Sequence, residues 1–151
     1  MSECRREKRE DVSGVRVLVV EDEFIVSLTL KVQLEAMGCR VVGTVRDAAA
    51  AVRQAQELRP DVVLMDIGLS GSDGVEATQA IVAQIPTQVI VVTAYGDDRI
   101  AQAIQAGARL ALTKPIVEEQ LAQAIAEVTV RRGSAEGGGN RGKGARDALS
   151  P

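Results

Sequence analysis

The chain has 151 residues, of which 46% are hydrophobic and only Phe24 and Tyr95 are aromatic, so a single domain with an aliphatic core is expected. A net charge of −3, with acids and bases both plentiful, argues against a dedicated nucleic-acid binder, which is usually basic. There is no histidine, which excludes a Ser-His-Asp triad, a Cys-His dyad, a histidine-ligated zinc site and a phosphohistidine carrier.

Residues 1–13 carry four basic and four acidic side chains and almost nothing apolar, and read as a disordered leader. Val15–Val20 (VRVLVV) reads as a buried strand. Phe24–Met37 has apolar residues at helical spacing, with Gly38 as a stop. Arg40–Val45 is strand-like, and Ala48–Leu58 is an Ala-rich helix ended before Pro60. Val62–Met65 is a second buried strand, reaching Asp66. A helix over Val75–Ile85 closes at Pro86, and Val89–Thr93 is a strand. Asp97–Ala106 is a helix stopped by Gly107, Leu110–Thr113 is a short strand, and Glu118–Arg131 is the last helix. The final stretch, 133–151, has six glycines among 19 residues and is expected to be a flexible tail, leaving 14–132 as the folded unit.

No apolar run approaches the roughly 20 residues that span a bilayer, and the charged N-terminus lacks a signal-peptide segment. The expectation is a cytoplasmic protein without a membrane partner. Two cysteines, Cys4 and Cys39, fit that compartment, with no structural disulfide expected.

Strict alternation of five strands with five helices implies an α/β fold: a doubly wound parallel sheet with helices on both faces. In such sheets functional groups gather at the carboxyl ends of the strands. The first strand ends in Glu21-Asp22-Glu23, the third in Asp66, the fourth in Thr93 and the fifth in Lys114-Pro115. If the strand order is 2-1-3-4-5, the first and third strands are neighbours and these groups converge. Taken singly, each has a plainer reading. An acidic run favours a helix dipole, Asp66 a cap, Thr93 a strand position and Lys114 a solvated surface. All of them in order, each at a strand end, point to one site.

The runs VLVVEDE, VVLMDIGLSGSDG, VIVVTAY and LTKP together resemble the response-regulator receiver family of two-component signalling, over about residues 15–130. The resemblance implies a flavodoxin-like (βα)5 fold with strand order 2-1-3-4-5. It implies that Asp66 is a phosphoacceptor, with Lys114 and Thr93 serving the phosphoryl group. It also implies an Mg2+ site formed by Glu21, Asp22, Asp66 and the backbone carbonyl of Gly68. The chemistry suits these residue types, because crowded carboxylates repel and a hard divalent ion relieves them. The phosphoryl donor implied is a histidine kinase or a histidine phosphotransfer protein, docking on Phe24, Ile25 and Leu28 beside Pro115 and Ile116. Slow self-dephosphorylation is implied as well.

The sequence departs from the family pattern at two places. Ser70 replaces a common proline, and Ala111 replaces the aromatic residue that usually swings inward as the threonine moves. Tyr95, two residues after Thr93, either does related switching work or lies on the surface over the fourth helix. The family also suggests a cis Lys114-Pro115 bond, and the small cis penalty of X-Pro leaves both isomers open.

After Arg132 the chain is too short for a DNA-binding output domain, so the output expected is contact with an unidentified downstream protein or onward phosphorelay. Homodimerisation through the fourth and fifth helices stays open. Three other functions are weaker. A phosphorylation-independent module would lack a site residue. An aspartate-nucleophile phosphatase would have a second aspartate where Gly68 stands. Nucleic-acid binding through the tail would call for aromatics, and the tail has none.

Overall fold

The structure is a computed structural model, and it describes residues 11–69, 73–94 and 98–138. Its elements are β1 (Arg16–Val20), α1 (Phe24–Ala36), β2 (Arg40–Val45), α2 (Ala48–Leu58) and β3 (Val62–Asp66). They continue as α3 (Gly74–Gln84), β4 (Gln88–Thr93), α4 (Ile100–Ala106), β5 (Leu110–Thr113) and α5 (Glu118–Gly138). The five strands form one parallel sheet in the order β2-β1-β3-β4-β5, as the resemblance implied.

Side chains alternate across a strand, so each strand feeds two cores. Val17, Val19, Val62, Leu64, Ile90 and Val92 pack with Leu30 and Leu34 of α1 and Leu121 and Ile125 of α5. Leu18, Val20, Val63, Met65, Val89 and Val91 pack on the opposite face with Ala51 and Ala55 of α2, Ala77 and Ile81 of α3, and Ala103 of α4. The strands are apolar on both faces because helices cover both.

Local chemistry sets the helix ends. The Asp47 carboxylate accepts from the Ala50 N–H at 2.8 Å, capping α2. Asp73 does the same for α3, accepting from Val75 and Glu76 at 2.9 and 3.1 Å. At the end of α2, Arg59 is left-handed (φ 50°) ahead of Pro60. The Arg16 guanidinium donates to the Leu58 and Arg59 carbonyls at 2.8 and 2.7 Å, tying that helix end to β1.

Three expected boundaries move. The leader was expected to be disordered through residue 13, but Val12 is 1% exposed and belongs to the core, and the Gly14 N–H donates to the Gly38 carbonyl at 2.8 Å. One apolar side chain beside an anchored turn outweighs the charged composition around it. The rest of that leader, 1–10, lies outside the described residues. The last helix continues to Gly138 instead of ending at Arg131, so the tail does not begin at 133. Gly133 costs the helix about 1 kcal/mol and does not stop one already nucleated, and Gly137 and Gly138 fall in its last turn. The remaining tail, 139–151, is outside the described residues. Finally, α4 begins at Ile100 after a turn at 98–99, instead of at Asp97, in keeping with the preference of aspartate for turns. Among the described residues no helix is long and apolar enough to cross a membrane.

Candidate functional site

The site forms where β1, β3, β4 and β5 end. The Glu21 N–H donates to the Val45 carbonyl at 3.0 Å, which carries the β1–β2 pairing one rung past Val20 and holds Glu21 at the sheet edge. Its carboxylate is closed in, 2% exposed, and Oε2 accepts from the Glu23 N–H at 3.2 Å. Asp66 ends β3 at 4% exposure, and its Oδ1 accepts from the Gly68 N–H at 2.8 Å. On β4, Thr93 is buried one step beyond Val92, the register partner of Asp66. The Thr93 carbonyl accepts from the Lys114 N–H at 2.8 Å, which fixes the start of the loop after β5. The Lys114-Pro115 bond is cis.

From that anchor the Lys114 ammonium reaches both buried carboxylates. Nζ lies 3.0 Å from Glu21 Oε1 and 3.3 Å from Asp66 Oδ2. The Glu21 contact is an ion pair whose direction leaves Oε1 without a hydrogen bond. Burial raises the Glu21 pKa above the usual carboxylate range, Lys114 pulls against that, and the Asp66 charge adds to the rise. Burial alone would lower the Lys114 pKa, but its pairing with Glu21 and Asp66 outweighs this and holds the ammonium above its ordinary value.

Glu21, Asp22 and Asp66 each bring one carboxylate oxygen into a group whose members all lie within 4.8 Å of one another. Three hard, crowded, negative oxygens repel one another, and the donor set fits a divalent ion such as Mg2+. The sequence reading placed these carboxylates together with Lys114 and Thr93 at one edge, and the structure does so.

Other expected residues separate into groups. Gly68 lies in the turn after β3, with its N–H on Asp66. Ala111 pairs with Val91 and packs, partly buried, on the core shared with α2, α3 and α4. Tyr95 and Ser70 lie outside the described residues. Phe24, Ile25 and Leu28 of α1 are 72%, 70% and 46% exposed. Beside them an apolar groove of about 420 Å³ runs along Ile25, Leu30, Ala94, Lys114, Pro115 and Ile116.

Two residues carry weight that sequence reasoning did not give them. Val32, 58% exposed, extends the apolar surface of α1 at helical spacing from Leu28. Gly74 lets α3 start against the site: a Cβ there would stand 2.7 Å from both the Asp66 carbonyl oxygen and Ile67 Cα. Its only signal was a glycine straight after the capping Asp73.

The family model for the response regulator receiver domain matches residues 17–126. Transcriptional regulatory protein LiaR of Bacillus subtilis is 39% identical over 114 residues, covering 74% of this chain and 54% of the relative. Transcriptional regulatory protein PdtaR of Mycobacterium tuberculosis is 35% identical over 118 residues, covering 78% and 57%. The crystal structure of the response regulator domain of Thermotoga maritima CheB is 34% identical with a TM-score of 0.67, covering 79% of this chain and 95% of that one. The chain thus spans little more than half the length of these curated relatives.

Proposed function

The chain belongs to the response-regulator receiver domain family of two-component signalling, and from that premise we propose that Asp66 is its phosphoacceptor. What carries the reading is the Lys114 ammonium at 3.0 and 3.3 Å from two buried carboxylates, with the Asp22 carboxylate in the same cluster. A structural charge pair has no need of a third acid at the same spot.

In the reaction an Asp66 carboxylate oxygen attacks the phosphorus of a partner's phosphohistidine. The P–N bond breaks, the imidazole keeps the electron pair and takes up a proton, and an acyl phosphate forms on Asp66. The transition state is loose, so neutralising its spreading charge matters more than a base. Lys114 supplies positive charge at Oδ2. The Thr93 hydroxyl donates to the new phosphoryl group. Glu21, Asp22, Asp66 and the Gly68 carbonyl are the groups that would hold Mg2+. When bound, the ion neutralises charge on the transferring phosphoryl. Later hydrolysis of the acyl phosphate resets the site slowly.

The donor is a histidine kinase or histidine phosphotransfer protein, which receiver domains generally meet. Its proposed seat is the exposed end of α1 and the adjoining groove at Pro115 and Ile116, which offer the apolar surface a partner helix would cover. Output is a protein contact governed by phosphorylation, or onward relay, through the face around α4 and α5, with homodimerisation there as one form such a contact can take. With Ala111 on β5 there is no ring at that position to swing, so the switch works through Thr93.

Incubation with Mg2+ and acetyl phosphate should add one phosphoryl group by mass spectrometry, and Asp66→Ala should abolish the addition. A variant lacking Asp66 that still gains the group would sink the assignment.

A further inference from the structure

Gly68 has no side chain, and the position its Cβ would take lies 3.4 Å from Asp66 Oδ1 and 3.8 Å from Arg99 Nη2. Two opposite charges therefore border one small space, and they come from different parts of the chain. Asp66 ends β3, and Arg99 is the last residue before α4. Lys114 approaches the other carboxylate oxygen, Oδ2, at 3.3 Å. Lys114 thus engages one oxygen of the carboxylate, while Arg99 borders the space beside the other.

Lys114 is also committed to Glu21, at 3.0 Å. A phosphoryl group on Asp66 would bring further negative oxygens into the pocket, more than one shared ammonium can neutralise. A guanidinium suits that demand, because it stays charged and presents several donors in a planar fork. A Cβ at position 68 would touch both groups at ordinary van der Waals distance, so the two face one another across a space about one methyl group wide.

We propose that Arg99, which borders the same small space over Gly68 as the Asp66 carboxylate, is a second cationic donor to the phosphoryl group on Asp66. The proposal rests on Asp66 being the phosphoacceptor. It predicts opposite effects on two ligands of the same pocket. A positive charge there strengthens the binding of a phosphoryl-like anion and opposes the binding of a divalent cation. A merely structural role for Arg99 would weaken both when the residue is lost.

The test is calorimetric titration of the full chain with trifluoroberyllate in saturating Mg2+, and with Mg2+ alone. Arg99→Ala is expected to weaken trifluoroberyllate binding by about tenfold, the usual worth of a charge-assisted hydrogen bond. Its Mg2+ affinity without trifluoroberyllate should be unchanged or tighter, and Arg99→Lys should recover part of the anion binding. Wild-type anion affinity in Arg99→Ala overturns the proposal and leaves Asp66 in its role. A parallel fall in Mg2+ affinity also overturns it, by making Arg99 structural. Failure of the wild-type chain to bind trifluoroberyllate in Mg2+ overturns the phosphoacceptor assignment, and the proposal with it.

Discussion

Val63 and Asp66 are three residues apart on the same strand, and both are shut off from water, at 0% and 4% exposure. Their surroundings differ completely. Val63 sits among aliphatic side chains that gain by leaving water. Asp66 sits against a lysine, a second buried acid and a third carboxylate, all groups that lose solvation there. The interior of the sheet is filled for stability, and its carboxyl edge gathers charged groups at some cost to stability. Substitutions in the two regions should therefore fail in different ways.

The largest contrast is at the edge. Asp66→Asn is expected to abolish phosphorylation by acetyl phosphate and to remove the rise in melting temperature that Mg2+ gives the wild type by binding the folded state. Without Mg2+ its melting temperature should hold or rise, because one of the crowded charges is gone. A large fall there would break the comparison. In the interior, Leu64→Ala should lower stability by about 3 kcal/mol in urea unfolding, in line with cavity formation in a packed core. Its Mg2+ affinity, measured where it is folded, should stay at the wild-type value.

Gly74 belongs to both regions, so it sharpens the boundary. Gly74→Ala puts a Cβ 2.7 Å from the Asp66 carbonyl and should cost about 2 kcal/mol by overpacking. Unlike Leu64→Ala, it should also weaken trifluoroberyllate binding, because the backbone that must yield is that of Asp66. Urea unfolding and calorimetry on the same sample distinguish the two variants.

The smallest effect concerns the interior thiol. Burial pushes the Cys39 pKa up from 9.0 to about 11. The unfolded chain therefore releases this proton first, and stability should fall as pH rises from 9 to about 11. The loss is on the order of 2 kcal/mol. Below pH 9 the contribution is fully present. Lys114, whose pKa is also raised, loses its stabilising charge at alkaline pH in any variant that retains it. The difference between wild type and Cys39→Ala in urea midpoint across that range isolates the thiol, and parallel curves would refute its part.

Much of this was legible from residue order. The strand at Arg40–Val45 and the helix at Ala48–Leu58 appear where the pattern put them, because periodicity and a neighbouring Asp or Pro mark them locally. Val12 was missed because its burial depends on where Gly38 and Cys39 sit, not on its own charged neighbours. The length of α5 was missed because glycine counts against a helix without forbidding it. Within the site, the residue types at each strand end were readable. Gly74 was not, since its importance lies in its distance to backbone across a turn.

The sequence by itself determined five alternating strands and helices, an aliphatic interior, and acids, a threonine and a lysine at successive strand ends. Periodicity is a local property and carries that much. Only the tertiary structure decided that β1 lies against β3, pairing Val17 with Val62 and Val20 with Met65. That adjacency brings Glu21 and Asp22 to Asp66, and the β4–β5 pairing carries Lys114 in to meet them. Strand neighbours are chosen by the packing of the whole sheet, so the charge cluster exists only once the sheet is assembled.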